Sequence, residues 1–334
     1  MSGHAYRLKA IQMLVLCCAL WAVSFPTTKA LALAQQALVP GANSWFLASL
    51  LVVFRFALAA LGMALLSVRT VRDVTRPEIW QGLGLGFFGG AGILLQVDGL
   101  AHTSASVSAF LTQGYCVFIP LWVALRGRRW PGPRIFLACA LVMAGAAFLA
   151  GLDWGHLRLG RGEFETLLSS VFFAGQILWL ERPGFAQNNV NHFSAVMFAV
   201  MTLMALPVTL LTTRQPADWA RAFSTGATLG FLAILILVCT FGGYLLMNHW
   251  QRRVTATEAG LIYCLEPVFA SALALILPAV FSRCAGIDYA NERLTASLLI
   301  GGGLITAANV LVQAPFAAPP ASEKAATASV GEPS

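Results

Sequence analysis

Four ionisable residues lie inside long apolar runs of the sequence: Arg55, Glu266, Lys29 and Asp98. A charged side chain at the centre of a bilayer costs at least ~2.5–3.5 kcal/mol, so each needs a partner or a water-filled cavity. An arginine in such a place could hold a substrate carboxylate through two parallel hydrogen bonds. A glutamate there could pass protons.

Arg55 and Glu266 are expected at similar depths, about 15 Å and about 18 Å from the same membrane surface at 1.5 Å per helical residue. Small residues share their helix faces, which is typical of helix packing rather than lipid contact. These residues are Ala48, Ala59 and Gly62 beside Arg55, and Ala259, Ala270 and Ala274 beside Glu266. Two interpretations stay open. The charges form a structural pair, or Glu266 bonds the backbone near Pro267; alternatively, either charge lines a cavity and handles solute or protons.

Lys29 and Asp98 are both expected near the outer end of their helices, about 27 Å and about 25 Å along them. A lysine there often extends to the headgroups while its stem stays in the apolar layer. The alternative is a gate pair at the outer mouth of a central cavity.

Several uncharged polar residues are also expected near the middle of the membrane. They are Trp21, Gln113, Tyr115, Gln176, Tyr263 and Asn309. Taken singly, each is typical of an interhelical hydrogen bond or of packing. Taken together, they indicate a cavity for an amphipathic solute.

Motifs for catalysis, metal binding or nucleotide binding are missing from the sequence. It contains no H-E-x-x-H pair, no P-loop and no nucleophile elbow. The seven cysteines have neither metal-binding nor redox spacing. We therefore predict no catalytic residue, no metal site and no cofactor.

The elements that must position these residues are transmembrane helices. The chain is 58% hydrophobic and 10% charged, whereas soluble domains average about 45–50% apolar and about 25% charged residues. At about 20 residues per crossing, the sequence predicts an all-α polytopic membrane protein with about ten spans. They are 11–31, 45–66, 81–100, 103–125, 135–152, 164–181, 193–212, 229–249, 258–281 and 295–314.

Basic residues are unevenly divided between the two sets of connecting loops. Thirteen lie on the side of the termini and six on the other, which the positive-inside rule translates into cytoplasmic termini in the cell membrane. This placement explains the net charge of +7 as topology, so we expect a lipid environment and no nucleic acid. Residues 315–334 are small and polar and are predicted to be a disordered cytoplasmic tail.

The sequence also contains similar segments about 150 residues apart. "TSASVSAFL" from 103 and "TATEAGL" from 255 each open an apolar helix that contains a proline, Pro120 or Pro267. "ALVMAGAAFLAG" (140–151) likewise corresponds to "GGGLITAANVLV" (301–312). Two repeats of five helices, 11–152 and 164–314, would be inverted relative to each other, with a site between them near the midplane.

These segments resemble the drug/metabolite transporter superfamily, and specifically its EamA-like permeases. "TSASVSAFL…P" and "TATEAGLIYCLEPVF" are similar to the fourth and ninth helices of that family. In the first repeat, Phe118 and Ile119 stand where the second has Glu-Pro, and Pro120 comes about three residues late. The two helices are therefore not strictly equivalent.

The resemblance implies a ten-helix secondary carrier, often an exporter of metabolites or drugs. We expect transport of a small polar or amphipathic molecule by alternating access, with protons as candidate coupling ions, and no enzymatic activity. The alternative is an integral-membrane enzyme acting on lipid or lipid-linked substrates, which should gather acids, histidines or metal ligands near one interface. A membrane scaffold or sensor would need a soluble signalling domain, for which the loops are too short. The sequence leaves substrate, direction and oligomeric state open.

Overall fold

The computed structural model describes residues 3–103, 105–127, 131–150 and 160–313. Within these ranges the chain is all-helical and contains no strand. The predicted tail at 315–334 lies outside the described residues.

In the described ranges, seven α-helices precede residue 151. They are α1 (Gly3–Ala22), α2 (Ser24–Leu38), α3 (Ser44–Leu66), α4 (Arg76–His102), α5 (Ala105–Thr112), α6 (Tyr115–Gly127) and α7 (Pro133–Ala150).

Between residues 160 and 313, nine more α-helices and a π-helical segment follow. They are α8 (Arg161–Leu180), α9 (Val190–Thr212), α10 (Ala217–Arg221), α11 (Gly226–Ile234), the π-segment (Leu235–Tyr244), α12 (Leu245–Trp250), α13 (Ala256–Tyr263), α14 (Glu266–Ala274), α15 (Leu277–Ala285) and α16 (Ala296–Gln313).

Five stretches of the described chain are long and apolar enough to cross a membrane. These are Tyr6–Leu38, Ser44–Leu66, Arg76–His102, Val190–Thr212 and Gly226–Arg253. A sixth is obtained if α13 to α15 count as one span, bent by 58°. Shorter apolar helices, Pro133–Phe148 and Ala296–Val312, lie at the places of two further predicted spans. The membrane class thus agrees with composition, whereas the count of ten crossings stays a prediction.

Side-chain caps fix where several helices begin. Asn43 accepts a hydrogen bond from the Trp45 amide before α3, and Thr255 accepts one from the Glu258 amide before α13. The Glu258 carboxylate in turn accepts from the Thr255 amide, which completes a capping box. Two backbone donors that would otherwise be unpaired are satisfied in this way.

The helices pack in a bundle in which α4 lies between α8 and α9. α3 also packs along α9, and α7 packs along α16. The glycine-rich run of α4 allows this close approach. A Cβ at Gly84 would come within 2.1 Å of Trp179 on α8, and one at Gly86 within 2.5 Å of Val200 on α9. The glycines of this run therefore serve helix packing, as small residues do in membrane interiors.

Two of the predicted spans are interrupted in the middle. The predicted span 103–125 stops at Gln113 and Gly114, between α5 and α6. The predicted span 258–281 stops at Cys264 and Leu265, between α13 and α14, and bends again before α15. Pro267 lies in the first turn of α14, where a proline has no hydrogen bond to break. Pro120, by contrast, lies inside α6.

Candidate functional site

A cavity of about 80 Å³ lies inside the bundle, between helices from both ends of the chain. Its wall is mostly apolar, with a few polar and charged groups. Those groups belong to α1, α2, α3, α4, α5, α6, α8, the π-segment, α13 and α14. The polar lining residues are Trp21, Ser24, Thr28, Arg55, Gln96, Thr112, Tyr115, Gln176, Tyr244, Tyr263 and Glu266.

Arg55 reaches this cavity from the buried face of α3, with 3% of the residue exposed. Its Nε donates a hydrogen bond of 2.7 Å to Thr240 Oγ1 on the π-segment. The Thr240 hydroxyl donates in turn to the Leu235 carbonyl, five residues earlier, at 2.9 Å. The π-helical turn thus supplies an acceptor that fixes the near end of the guanidinium. Among the described residues, the bond from Nε to Thr240 is the hydrogen bond that Arg55 makes. The two terminal nitrogens of its guanidinium are therefore available to the cavity.

Glu266 lines the same cavity from the first residue of α14. A carboxylate in the first turn of a helix is favoured by the helix dipole. Within the described ranges it forms no ion pair or hydrogen bond, although the charge of Arg55 acts on it electrostatically. The structural ion pair that was one reading of the sequence is therefore not formed in this structure. Instead, the two opposite charges share one cavity.

Three aromatic rings form one wall beside the charges. The Trp21 ring lies 5.4 Å from that of Tyr244 and 5.3 Å from that of Tyr263, measured between centroids. The Tyr263 hydroxyl donates to Gln251 Oε1 at 3.0 Å, and Gln251 Nε2 donates to the Ile177 carbonyl at 2.8 Å. Through Gln251, these bonds tie the Tyr263 hydroxyl to the backbone of α8. The wall is therefore fixed in position and amphipathic.

The interruption between α5 and α6 places Tyr115 where Glu266 stands in the other half. Each is the first residue after a two-residue break, and their numbers differ by 151. Both line the cavity. The comparison of Phe118 and Ile119 with the Glu-Pro pair is thus replaced by one between Tyr115 and Glu266. The Tyr115 hydroxyl donates to Gln113 Oε1 at 3.0 Å.

The other predicted site residues divide into lining and remote positions. Trp21, Tyr263, Tyr115 and Gln176 line the cavity, whereas Gln113 lies just behind Tyr115. Asn309 does not line it, because its Nδ2 donates to the Ile305 carbonyl of its own helix, α16.

Lys29 and Asp98 do not pair with each other in this structure. Asp98 is fully buried and accepts a hydrogen bond from Arg161 at the start of α8, and Arg161 also contacts Glu165 at 2.8 Å. Lys29 instead lines a separate small cavity between α2, α3 and α4. The expected gate pair is thus corrected to a junction of Asp98 with Arg161. Because the predicted span begins at residue 164, Arg161 was expected in a loop and was not considered as the partner of Asp98.

Six polar residues of the site were not predicted from the sequence: Ser24, Thr28, Gln96, Thr112 and Tyr244, which line the cavity, and Thr240, which bonds to Arg55. Gln96 Nε2 on α4 donates to Thr112 Oγ1 on α5 at 3.1 Å. For Thr240 and Tyr244, the sequence contained one usable signal, the polar interruption "CTFGGY" in an otherwise apolar span. A Cβ at Gly243 in that interruption would lie 2.2 Å from Trp21 Nε1, so the glycine is what lets the aromatic wall approach.

The described part of the chain contains no group of three or more histidine, cysteine or acidic side chains placed to hold a metal ion. The cavity instead combines one cation, one anion and an aromatic face. Such a set can orient a small molecule that is both polar and apolar.

The chain is similar to known transporters over part of its length. Residues 160–313 match the model of the EamA-like transporter family. An uncharacterized transporter of Haemophilus influenzae is 27% identical over 142 residues, which are 42% of this chain and 79% of that protein. An uncharacterized transporter of Archaeoglobus fulgidus is 26% identical over 57% of this chain and 58% of its own length, so the match spans less than two thirds of that relative.

Solved structures with a similar fold include a crystal structure that covers nearly the whole chain. It superposes with a TM-score of 0.64 over 91% of this chain and 96% of the other, at 18% identity. At that identity the likeness concerns the fold alone.

Proposed function

We propose that the protein is a secondary transporter that works by alternating access, because residues 160–313 match the model of the EamA-like transporter family. Its substrates are small polar or amphipathic metabolites or drugs, moved out of the cell in exchange for protons. The family match and the long apolar helices support a multi-pass membrane protein with a small-molecule substrate. The uneven distribution of basic residues between the loops supports a cytoplasmic position for both termini.

The observation that carries the proposal is the sharing of one cavity by Arg55 and Glu266 without an ion pair between them. A buried charge that lacks a close counter-charge is costly, so a stable fold retains it only where water, solute or protons reach it. One charge comes from α3 in the first half and the other from α14 in the second. Movement between the halves therefore changes the distance between them.

The packing pattern supports a ten-helix arrangement of two inverted repeats. In a two-repeat arrangement, α3 of the first half is equivalent to α9 of the second, and α7 is equivalent to α16. Each of these equivalent pairs also packs together. Likewise, α4 is equivalent to the π-segment and α8 to α1. The pair α4–α8 packs together, and so does the pair formed by the π-segment and α1. A rocking motion about such an axis would open the cavity alternately to each side.

Polar contacts at both ends of the bundle are suited to act as gates. At the end where α1 begins, Arg7 pairs with Glu258 of α13. At the other end, Asp98 pairs with Arg161, and Thr103 donates to Glu163. Each contact joins the first half to the second, so each must break when the corresponding side opens.

The volume of the cavity favours small metabolites over larger drugs in this conformation. About 80 Å³ is well below the ~300–1,000 Å³ of pockets that enclose drug-sized ligands. The cavity must widen for a larger substrate to bind.

Flux through purified protein in sealed vesicles tests the function. A panel of amino acids, small amines and organic acids would be measured with and without a pH gradient, beside protein-free vesicles. We expect saturable flux of at least one solute and its acceleration by the gradient. Absence of protein-dependent flux for the whole panel would refute the transporter assignment, whereas flux that ignores the gradient would refute proton exchange alone.

A further inference from the structure

A second concave surface lies on the outside of the bundle, away from the central cavity. It is a groove of about 720 Å³ between α4, α6 and α8. Its apolar lining includes Phe88, Phe118, Trp122, Val171, Leu178 and Trp179. Trp122 is 53% exposed and Val171 is 47% exposed, so the groove opens towards the surrounding lipid.

One end of this outer groove is basic. Arg126 lies in the last turn of α6, and Arg182 follows the end of α8. Arg182 stacks on Trp179, with its guanidinium carbon 3.6 Å from the ring centroid. Neither arginine has an acidic partner in the described ranges. Glu181 also lines this end of the groove, but its carboxylate accepts a hydrogen bond from the Ala256 amide at 2.9 Å and is directed to the start of α13.

The length of the groove matches one leaflet of a bilayer. Val171 and Arg182 are eleven residues apart, which is about 17 Å along a helix. Half of a ~30 Å hydrocarbon core is about 15 Å. The apolar part therefore extends from the middle of the membrane to the level of the headgroups, where the arginines lie.

We propose that the outer groove is a binding site for an anionic phospholipid, with an acyl chain along α6 and α8 and the phosphate between Arg126 and Arg182. The charge of the groove decides against a second copy of the chain as the occupant. In a two-fold dimer within one membrane, equal surfaces would meet and the four arginines would face one another. An anionic headgroup neutralises them instead, and arginine offers the planar donor pairs that phosphate accepts.

The test uses quenching of tryptophan fluorescence by brominated lipids, because Trp122 and Trp179 line the groove. The full chain would be reconstituted in phosphatidylcholine vesicles that contain increasing fractions of brominated phosphatidylglycerol or, separately, brominated phosphatidylcholine. We expect the anionic lipid to quench at a lower mole fraction. A Trp122→Phe variant should lose part of this saturable quenching.

An Arg126→Gln/Arg182→Gln variant should raise the half-quenching fraction of phosphatidylglycerol by about fivefold per arginine, since one basic residue near an anionic surface contributes ~1 kcal/mol. Arg69→Gln/Arg72→Gln is the matched control, because both arginines are exposed and lie outside the groove. Its half-quenching fraction should stay unchanged. Elution as a single folded species would be required of each variant.

Three results would overturn the proposal. The first is equal quenching of the unmodified protein by the two lipids. The second is an equal shift in the groove and control variants, which would indicate general surface charge. The third is cross-linking through Trp122→Cys that shows a dimer covering the groove at low protein density.

Discussion

Arg55 depends on Thr240 for its orientation in the central cavity. The hydroxyl accepts from Arg55 Nε at 2.7 Å and is itself held by the Leu235 carbonyl. A hydrogen bond to a charged group contributes about 1.5–3 kcal/mol. Removing the hydroxyl should therefore act on substrate binding through the position of the guanidinium rather than through its charge.

A Thr240→Val variant should raise the KM for transport by about tenfold or more, as loss of a charged hydrogen bond implies. Thr240→Ser should retain most of the affinity because it keeps the hydroxyl. Thr202→Val is the control, since the Thr202 hydroxyl bonds only to the Phe198 carbonyl of its own helix. Concentration-dependent flux in vesicles measures the effect, and an unchanged KM in Thr240→Val would contradict the positioning role.

Glu266 is the residue on which proton exchange should depend. A Glu266→Gln variant keeps the shape and polarity of the side chain but cannot release a proton. We expect its flux to become independent of an imposed pH gradient, while counterflow of substrate across vesicles persists. Glu292→Gln, in the loop before α16, serves as a control with an exposed carboxylate. Full gradient-driven flux in Glu266→Gln would show that the proton is carried elsewhere.

At the scale of elements, the aromatic wall depends on close contact between α1 and the π-segment. Gly243→Ala should lower stability by about 1–3 kcal/mol, the usual cost of overpacking, because the new Cβ would lie 2.2 Å from Trp21 Nε1. Gly230→Ala in α11 is the matched control, because no atom lies within 4 Å of its new Cβ. Thermal unfolding in detergent should show a lower midpoint for Gly243→Ala only. Equal midpoints would mean that the ring moves away without cost.

The junction of α4 with α8 depends on Arg161, which neutralises the fully buried Asp98. Arg161→Gln should destabilise the protein by about 1–3 kcal/mol, because a buried carboxylate loses its charged partner. Asp98→Asn in the same chain should recover part of that loss. Arg221→Gln removes a longer contact of 3.5 Å between an exposed guanidinium and Asp218 and should have a smaller effect. Additive losses in the double variant would show that the two residues stabilise the fold independently.

Apolar blocks and spacing in the sequence were sufficient to predict the helical class and the inward direction of Arg55 and Glu266. They could not reveal the π-segment, since one extra residue per turn leaves no trace in a run of apolar side chains. The partner of Asp98 was missed for a different reason. Lys29 was chosen from its depth along a straight helix, whereas the actual contact with Arg161 depends on which helices are neighbours. The break before Glu266 was masked by the more conspicuous Pro267.

At the scale of the whole molecule, alternating access requires that the two end contacts open in turn and are never both open at the same time. Only Cys284 is exposed among the seven cysteines, so a Cys284→Ser background allows selective labelling. A short bifunctional thiol reagent should stop flux in an Arg7→Cys/Glu258→Cys variant and, separately, in an Asp98→Cys/Arg161→Cys variant. The Asp218→Cys/Arg221→Cys variant is the control, because both positions lie within α10. Normal flux after complete cross-linking at either end would exclude the rocking mechanism.

Tyr115 and Glu266 occupy matching places after the two helix breaks, yet one side chain is a phenol and the other a carboxyl. Under the proposed exchange of halves, a chain with identical groups at both places would meet solute equally well from either compartment. The different side chains of Tyr115 and Glu266 break the two-fold equivalence of the halves. Apparent affinities measured from the two faces of the membrane should therefore differ, and the resting population should favour one facing direction even without a gradient.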